Sequence, residues 1–180
     1  MSTKERILQA AHQVAQRDGV IHLTLEAVAK EAGLSKGGLL YHFPTKDDLV
    51  AGLVAHVTDG FATALEEKQQ KTPEGTGAFT RSYIQATFED MSTAQHLHTG
   101  LLAAVLLNPE LLQHIQDKFA AWHKQIQHDG LDPVLASLLR YAADGMWASM
   151  LLGLAPPDDA MQDALHEFMI DFTQEDGPID

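Results

Sequence analysis

The sequence predicts an all-α protein with a small N-terminal three-helix domain and a larger C-terminal helical bundle. Three observations carry this. Apolar residues recur at helical spacing almost throughout the 180 residues, while the period-two alternation of strands is nearly absent. Capping residues followed by glycine or proline stops mark out helix-length segments from end to end. Two of the earliest segments are short and separated by only Gly33, Leu34 and Ser35.

Ser2 and Glu5 form the Ser-x-x-Glu pattern of a capping box. Ile7, Leu8, Ala11, Val14 and Ala15 follow at helical spacing, and Gly19 is a stop. Thr24 caps a second helix in which Leu25, Val28, Ala29 and Ala32 share a face. The third runs from Lys36 to Phe43, and Pro44 stops it, because the residue before proline avoids helical backbone. Two short helices joined by a glycine-containing turn of three or four residues make a helix-turn-helix. Thr45 opens a long fourth helix, with Asp47 and Asp48 in its first turn, where the helix dipole favours carboxylates. Leu49, Leu53, Val57, Phe61 and Leu65 line one face of it. Gly52 and Gly60 weaken that helix by up to ~1 kcal/mol each, and permit either close packing or bending.

The run KTPEGTG at 71–77 is a linker. Beyond it, helices are expected at about 78–91, 93–107 and 110–128, the last with Leu112, Ile115, Phe119, Trp122 and Ile126 on one stripe. Asp129-Gly130 is a turn. Asp132-Pro133 is an N-cap followed by proline at the first helical position. The helix from Pro133 to Leu154 is apolar almost all round, which predicts burial. Pro156-Pro157 then precedes an amphipathic helix carrying Met161, Leu165, Phe168, Met169 and Phe172. The expected organisation is a domain over 1–46, a second over 47–174, and a frayed tail at 175–180.

Composition narrows the chemistry. There is no cysteine, which excludes disulfides, thiolate metal sites and thiol catalysis. No contiguous apolar run reaches the ~18 residues of a membrane span, and the N-terminal apolar residues are spaced rather than contiguous. A soluble, cytoplasmic protein without a membrane partner is expected. Residues 1–50 hold six basic and six acidic side chains. Residues 51–180 hold six basic and nineteen acidic ones, which accounts for the whole net charge of −13. That pattern suits either a solvated acidic surface or an acidic part turned away from a polyanion.

The segment TLEAVAKEAGLSKGGLLYHFPTKDDL at 24–49 resembles the DNA-binding signature of the TetR family, and the resemblance reaches back through the first helix to about residue 3. It implies a regulator that binds a palindromic operator as a homodimer and responds to a small-molecule effector, most simply as a repressor that the effector releases. A recognition helix enters the major groove with its N-terminal residues near base edges, which suits Lys36. Ser35 caps this helix or contacts DNA. Gly37 and Gly38 either let the backbone approach closely or make a tight turn. In the family, the positions of Tyr41, His42 and Lys46 serve phosphates, and the helix N-terminus at Thr24 offers amides to phosphate. Many relatives carry an aromatic residue where this chain has Leu40, which either touches a thymine methyl or packs. Base readout is therefore expected to be modest and helped by DNA shape.

The resemblance also implies that the C-terminal helices form the effector site and that the last two form the dimer interface. Small residues Ala143, Gly145, Ala148, Ser149 and Gly153 suit the helix at 133–154 either to burial in its own domain or to packing on a symmetry mate. Tyr83, Phe88, Met91, His96, Trp122, Met146 and Trp147 are candidate effector contacts, or plain core. The acidic balance favours a cationic effector, which aromatic faces also accept. His96 and His98 are two apart and do not share a helical face, so no metal is expected. No nucleophile elbow, phosphate loop or dinucleotide fingerprint occurs, so neither an enzyme nor a cofactor is expected. The alternatives are an all-helical enzyme or metal-binding protein, and an interaction module whose helix-turn-helix no longer reads DNA.

Overall fold

The computed structural model describes residues 1–91, 98, 101, 102, 104, 105 and 108–174. These hold eight α-helices of defined extent: α1 (Thr3–Asp18), α2 (Leu25–Glu31), α3 (Lys36–His42), α4 (Lys46–Lys71), α5 (Ala78–Met91), α6 (Leu112–Ile126), α7 (Pro133–Leu152) and α8 (Asp159–Phe172). Short 3-10 turns occupy Val20–His22 and Pro109–Leu111, and no strand occurs among the described residues. The all-α expectation holds. Residues 98, 101, 102, 104 and 105 are helical, within the helix expected at 93–107. The rest of that helix, His96 with it, and the tail at 175–180 lie outside the described residues. The chain divides into two compact units, Met1–Asp59 with Ala94–Ile115, and Gly60–Thr93 with Gln116–Asp180.

In the first unit α1 to α4 each start on a side-chain cap. Ser2 Oγ accepts from the Glu5 amide at 3.1 Å while the Ser2 amide donates to the Glu5 carboxylate at 2.6 Å. That bond holds the Glu5 carboxyl below its ordinary range. Thr24 and Ser35 cap α2 and α3. Thr45 and Asp48 cap α4 reciprocally, each amide donating to the other side chain at 3.1 Å. Gly33 takes the left-handed backbone, φ 64°, that turns the chain from α2 into α3. The core joins Ile7, Leu8, Ala11 and Val14 of α1 to Val28 of α2, Leu39 of α3, and Leu49 and Leu53 of α4. Leu101 and Val105 are buried in it, and Leu111, Leu112 and Ile115 pack against it.

Of the two glycines in α4, Gly52 serves close packing. A Cβ there would lie 2.6 Å from the Phe43 ring and 3.1 Å from Leu8. At Gly60 a Cβ meets nothing within 4 Å. By length and composition alone α4 is apolar enough to cross a membrane. Its buried residues Leu49, Val50, Leu53 and Val54 belong to the first core, so that apolarity serves packing.

In the second unit α5 packs on α7 and α8, around Phe79, Tyr83, Ile84, Trp122, Ile126, Leu139, Met146 and Met169. The Asp129 turn does more than reverse the chain. Its carboxylate accepts from the Thr80 amide and hydroxyl at 2.8 and 2.6 Å, and its carbonyl accepts from the Gly77 amide at 2.9 Å. It thus caps the start of α5 from 49 residues away. Arg81 donates to the Thr173 carbonyl and hydroxyl at 3.1 and 2.8 Å, tying the end of α8 to α5.

One expectation is corrected. The helix at 133–154 ends at Leu152, with Gly153 as its left-handed cap, and it is not buried all round. Ala136, Leu139, Ala143 and Met146 face the core, but Val134, Leu138 and Tyr141 are 77%, 61% and 58% exposed. Those three follow i, i+4, i+7 spacing, so they form one outward stripe. Met161 and Phe168 make a similar stripe on α8.

Two outcomes follow. Gly52→Ala should destabilise the protein by about 1–2 kcal/mol, because overpacking against Phe43 outweighs the gain in helix propensity. Gly60→Ala should stabilise it by up to about 1 kcal/mol. Urea denaturation of both variants checks the pair. The second outcome concerns His12, half-buried with its ring edge-on to His56 at 6.3 Å. Burial, followed by His56 and His98, holds its pKa below the ordinary value. The unfolded chain therefore binds that proton more readily than the folded one. Stability should be complete above about pH 6.5, the unfolded value, and decline as pH falls below it. Thermal melts of His12→Gln should show a smaller loss between about pH 6.5 and 5; an undiminished loss would place the titration elsewhere.

Candidate nucleic-acid interface and effector region

The burial of Leu39 and Phe43, one turn apart, sets the roll of α3. The opposite side faces outward: Lys36 and Gly37 are exposed, Tyr41 is 85% exposed, and Leu40 is half-buried beside them. His42 is half-buried, with its ring edge-on to Tyr41 at 5.2 Å. Thr24 and Ser35 are exposed, and each side chain is engaged as a cap. Gly37 and Gly38 lie inside α3 with right-handed backbone, so the tight-turn alternative fails. A Cβ on Gly38 would come 3.3 Å from the capping Ser35 oxygen, whereas one on Gly37 would meet nothing within 4 Å. A helical glycine costs about 1 kcal/mol relative to alanine. Among the described residues, none uses the small size of Gly37.

The charged groups of this face are partnered. Lys36 Nζ pairs with Glu26 of α2 and holds its carboxyl below the ordinary range. Both side chains are more than half exposed, so water and salt weaken the pair and a phosphate or guanine edge can take the ammonium over. Lys46 Nζ donates to the Ile21 carbonyl at 3.3 Å, and Ile21 itself is 81% exposed. Sequence reasoning missed Glu26 and Ile21. The signal for Glu26 was a carboxylate in the first turn of α2, near the lysine that opens α3; Ile21 lies in a 3-10 turn with no pattern to flag it.

The effector candidates of the second unit fall into two groups. Tyr83, Trp122 and Met146 are buried. The Tyr83 ring lies 5.8 Å from Phe61 and 6.2 Å from Trp122, and Trp122 also packs on Phe119 at 5.1 Å. Tyr83 donates to Asp144 at 2.7 Å, and Arg140 lies 3.1 Å from the other Asp144 oxygen. Burial pushes both the Tyr83 hydroxyl and the Asp144 carboxyl upward. Phe88, Met91 and Trp147 are half-buried. Phe88 packs on His166 at 4.7 Å, and Trp147 donates to Asp90 at 2.8 Å. An open cleft of about 600 Å³ runs past Phe88, floored by the end of α4 and the middle of α5. Tyr83, Trp122 and Met146 do not line it. Among the described residues, no three His, Asp or Glu side chains are placed to share a metal ion.

Known proteins resemble the chain in both halves. Residues 7–53 match the family model for bacterial regulatory proteins of the tetR family, and residues 77–174 match that for a tetracyclin repressor-like C-terminal domain. The HTH-type transcriptional regulator TtgR of Pseudomonas putida is 34% identical over 76 residues, which cover 41% of this chain and only 36% of TtgR. The HTH-type transcriptional regulator BetI of Stenotrophomonas maltophilia is 25% identical over 80% of this chain and 79% of its own. A crystal structure of the multidrug binding protein EbrR complexed with ethidium shares the fold, with a TM-score of 0.68 and 24% identity over 96% of this chain and 99% of that one. The chain belongs to the TetR family of bacterial helix-turn-helix transcriptional regulators.

Proposed function

We propose that this regulator is a cytoplasmic homodimeric repressor that binds a palindromic duplex operator and is released by a small-molecule effector. The observation that carries the DNA reading is the outward face of α3, which presents Lys36 and Tyr41 beside Gly37, a helical glycine that no contact among the described residues requires. On this reading Lys36 reaches a base edge, and Gly37 and Gly38 let the α3 backbone approach the groove. Leu40 makes an apolar base contact. Tyr41, His42 and Lys46 hold phosphates, as do the helix N-termini at Thr24 and Ser35.

The exposed apolar stripes on α7 and α8 support the dimer, since they suit packing against the same stripes of a second copy. A two-fold dimer offers two recognition helices to two half-sites. The effector is assigned to the second unit, where Phe88 and Met91 pack on the core that holds Tyr83, Trp122 and Met146. Trp147 is a further candidate contact there, and His96, also a candidate, lies outside the described residues. α4 supplies Leu53 to the first core and Leu65 to the second, so it is the candidate lever. An effector that favours one spacing of the recognition helices must weaken DNA binding by the factor by which DNA weakens its own.

Fluorescence anisotropy with a duplex from the DNA beside the gene tests the interface. Gly37→Ala should be more stable than wild type by up to about 1 kcal/mol, yet bind operator about tenfold more weakly, as a methyl group enters the groove contact. Lys46→Ala should reduce the salt slope by about one and weaken all sequences alike. Undiminished affinity of Gly37→Ala would turn this face away from DNA. For the dimer, Leu138→Glu should sediment as a monomer and lose operator binding. A wild-type protein that sediments as a monomer at micromolar concentration would refute the assembly.

A further inference from the structure

We propose that the cleft between the end of α4 and the middle of α5, flanked by α8, binds a small organic monoanion with an aromatic body. This deepens the effector reading above and rests on it only for the release of operator. Residues 51–180 contain six basic side chains against nineteen acidic ones, yet three of the six, Lys68, Lys71 and Arg81, line this one cleft. Glu89 offsets one of them through its ion pair with Lys68, and Lys71 lies close enough to act on the same carboxylate. The floor therefore keeps an excess of positive charge inside an acidic unit. The Lys71 ammonium makes no hydrogen bond or ion pair among the described residues, so turning to a ligand carboxylate costs it only its longer-range attraction to Glu89. Arg81 is fixed in place by its bonds to Thr173, which lowers the ordering cost of a further contact.

The apolar end is supplied by Phe88, whose ring meets His166 of α8 at 4.7 Å. A volume of about 600 Å³ suits a ligand of one or two rings. Asp163 and Glu167 act on His166 from α8. They disfavour a polyanion there and confine the anionic group to the lysine and arginine end. This reverses the preference for a cation that net charge suggests: the charge of the whole unit does not describe the cleft.

Isothermal titration of the full chain with 2-naphthoate and with 2-naphthylmethylammonium, probes of matched shape and opposite charge, tests the assignment without DNA. Wild type should bind the naphthoate saturably and the ammonium probe at least about tenfold more weakly. Lys71→Glu should weaken naphthoate by at least about tenfold. Lys71→Gln should lose less, and Lys124→Glu, a lysine on α6 that does not line the cleft, should match wild type. Circular dichroism verifies that each variant is folded. The proposal is overturned if naphthoate fails to saturate below about 1 mM, if the ammonium probe binds as well, or if Lys71→Glu binds naphthoate like wild type. Adding naphthoate to the operator complex separates the two readings. Binding without release leaves the anion site standing and removes the effector role, whereas failure to bind removes the site and leaves the effector role to another surface.

Discussion

The packing of the Phe43 ring onto Gly52 is the constraint on which the N-terminal unit depends. Phe43 follows α3 directly, in extended backbone forced by Pro44. Its ring occupies the space where a side chain on α4 would begin, against Leu8 of α1. With Leu39 buried one turn earlier, α3 is held along its length, and its free face carries residues 36, 37 and 41. The glycine thus gives up helix propensity in α4 so that α3 sits in one orientation. Gly37 gives up propensity with no such neighbour among the described residues, which is what the proposed DNA contact would explain. Two glycines that look alike in sequence are separated by what a Cβ would meet.

The parts of the fold that were legible are those set by neighbours three or four residues apart. The caps at Ser2, Thr24 and Asp132 and the stops at Gly19 and Gly33 are local bargains between a side chain or backbone and the nearest turn. What escaped is long-range. Asp129-Gly130 was visible as a turn, but its hold on Thr80 spans 49 residues. Likewise Tyr83 and Asp144 are 61 residues apart and Trp147 and Asp90 are 57 apart. Composition also misled at α7, where overall apolarity implied burial although Val134, Leu138 and Tyr141 point outward. Hydrophobicity reports that a surface will be covered, and is silent on whether the cover is the same chain.

The same division explains why a candidate DNA face is readable from one segment and a candidate effector region is not. The helix-turn-helix is one contiguous segment with a fixed order of residue types. An effector site is assembled from several helices, and selecting it by residue type favours large aromatics. Tyr83 and Trp122 meet that criterion; their rings also pack on Phe61 and Phe119, and the Tyr83 hydroxyl donates to Asp144, contacts that a linear reading does not show. The cleft is lined by Lys68, Lys71 and Arg81, which a linear reading counts as solvated charge.

Charge connects the two units' roles. The first fifty residues are electrically neutral, and much of their positive charge is locally matched: Arg17 pairs with Asp18 and Glu31, and Lys36 with Glu26. Affinity for a polyanion that relies on few unmatched cations has a shallow salt slope and carries little weight from non-specific attraction. A single half-site contacted by such a surface is bound weakly. Two half-sites contacted together are bound far more tightly, because the second contact is intramolecular and its effective concentration replaces the bulk one. The same arithmetic makes the contact vulnerable, since the gain vanishes when geometry forbids both contacts at once. On the dimeric reading an effector need not touch DNA or the helix-turn-helix. A small change in the spacing of two recognition helices, carried by α4, removes the avidity and leaves two weak contacts. A neutral reading head therefore suits release better than a strongly basic one, which would remain on DNA through phosphates alone.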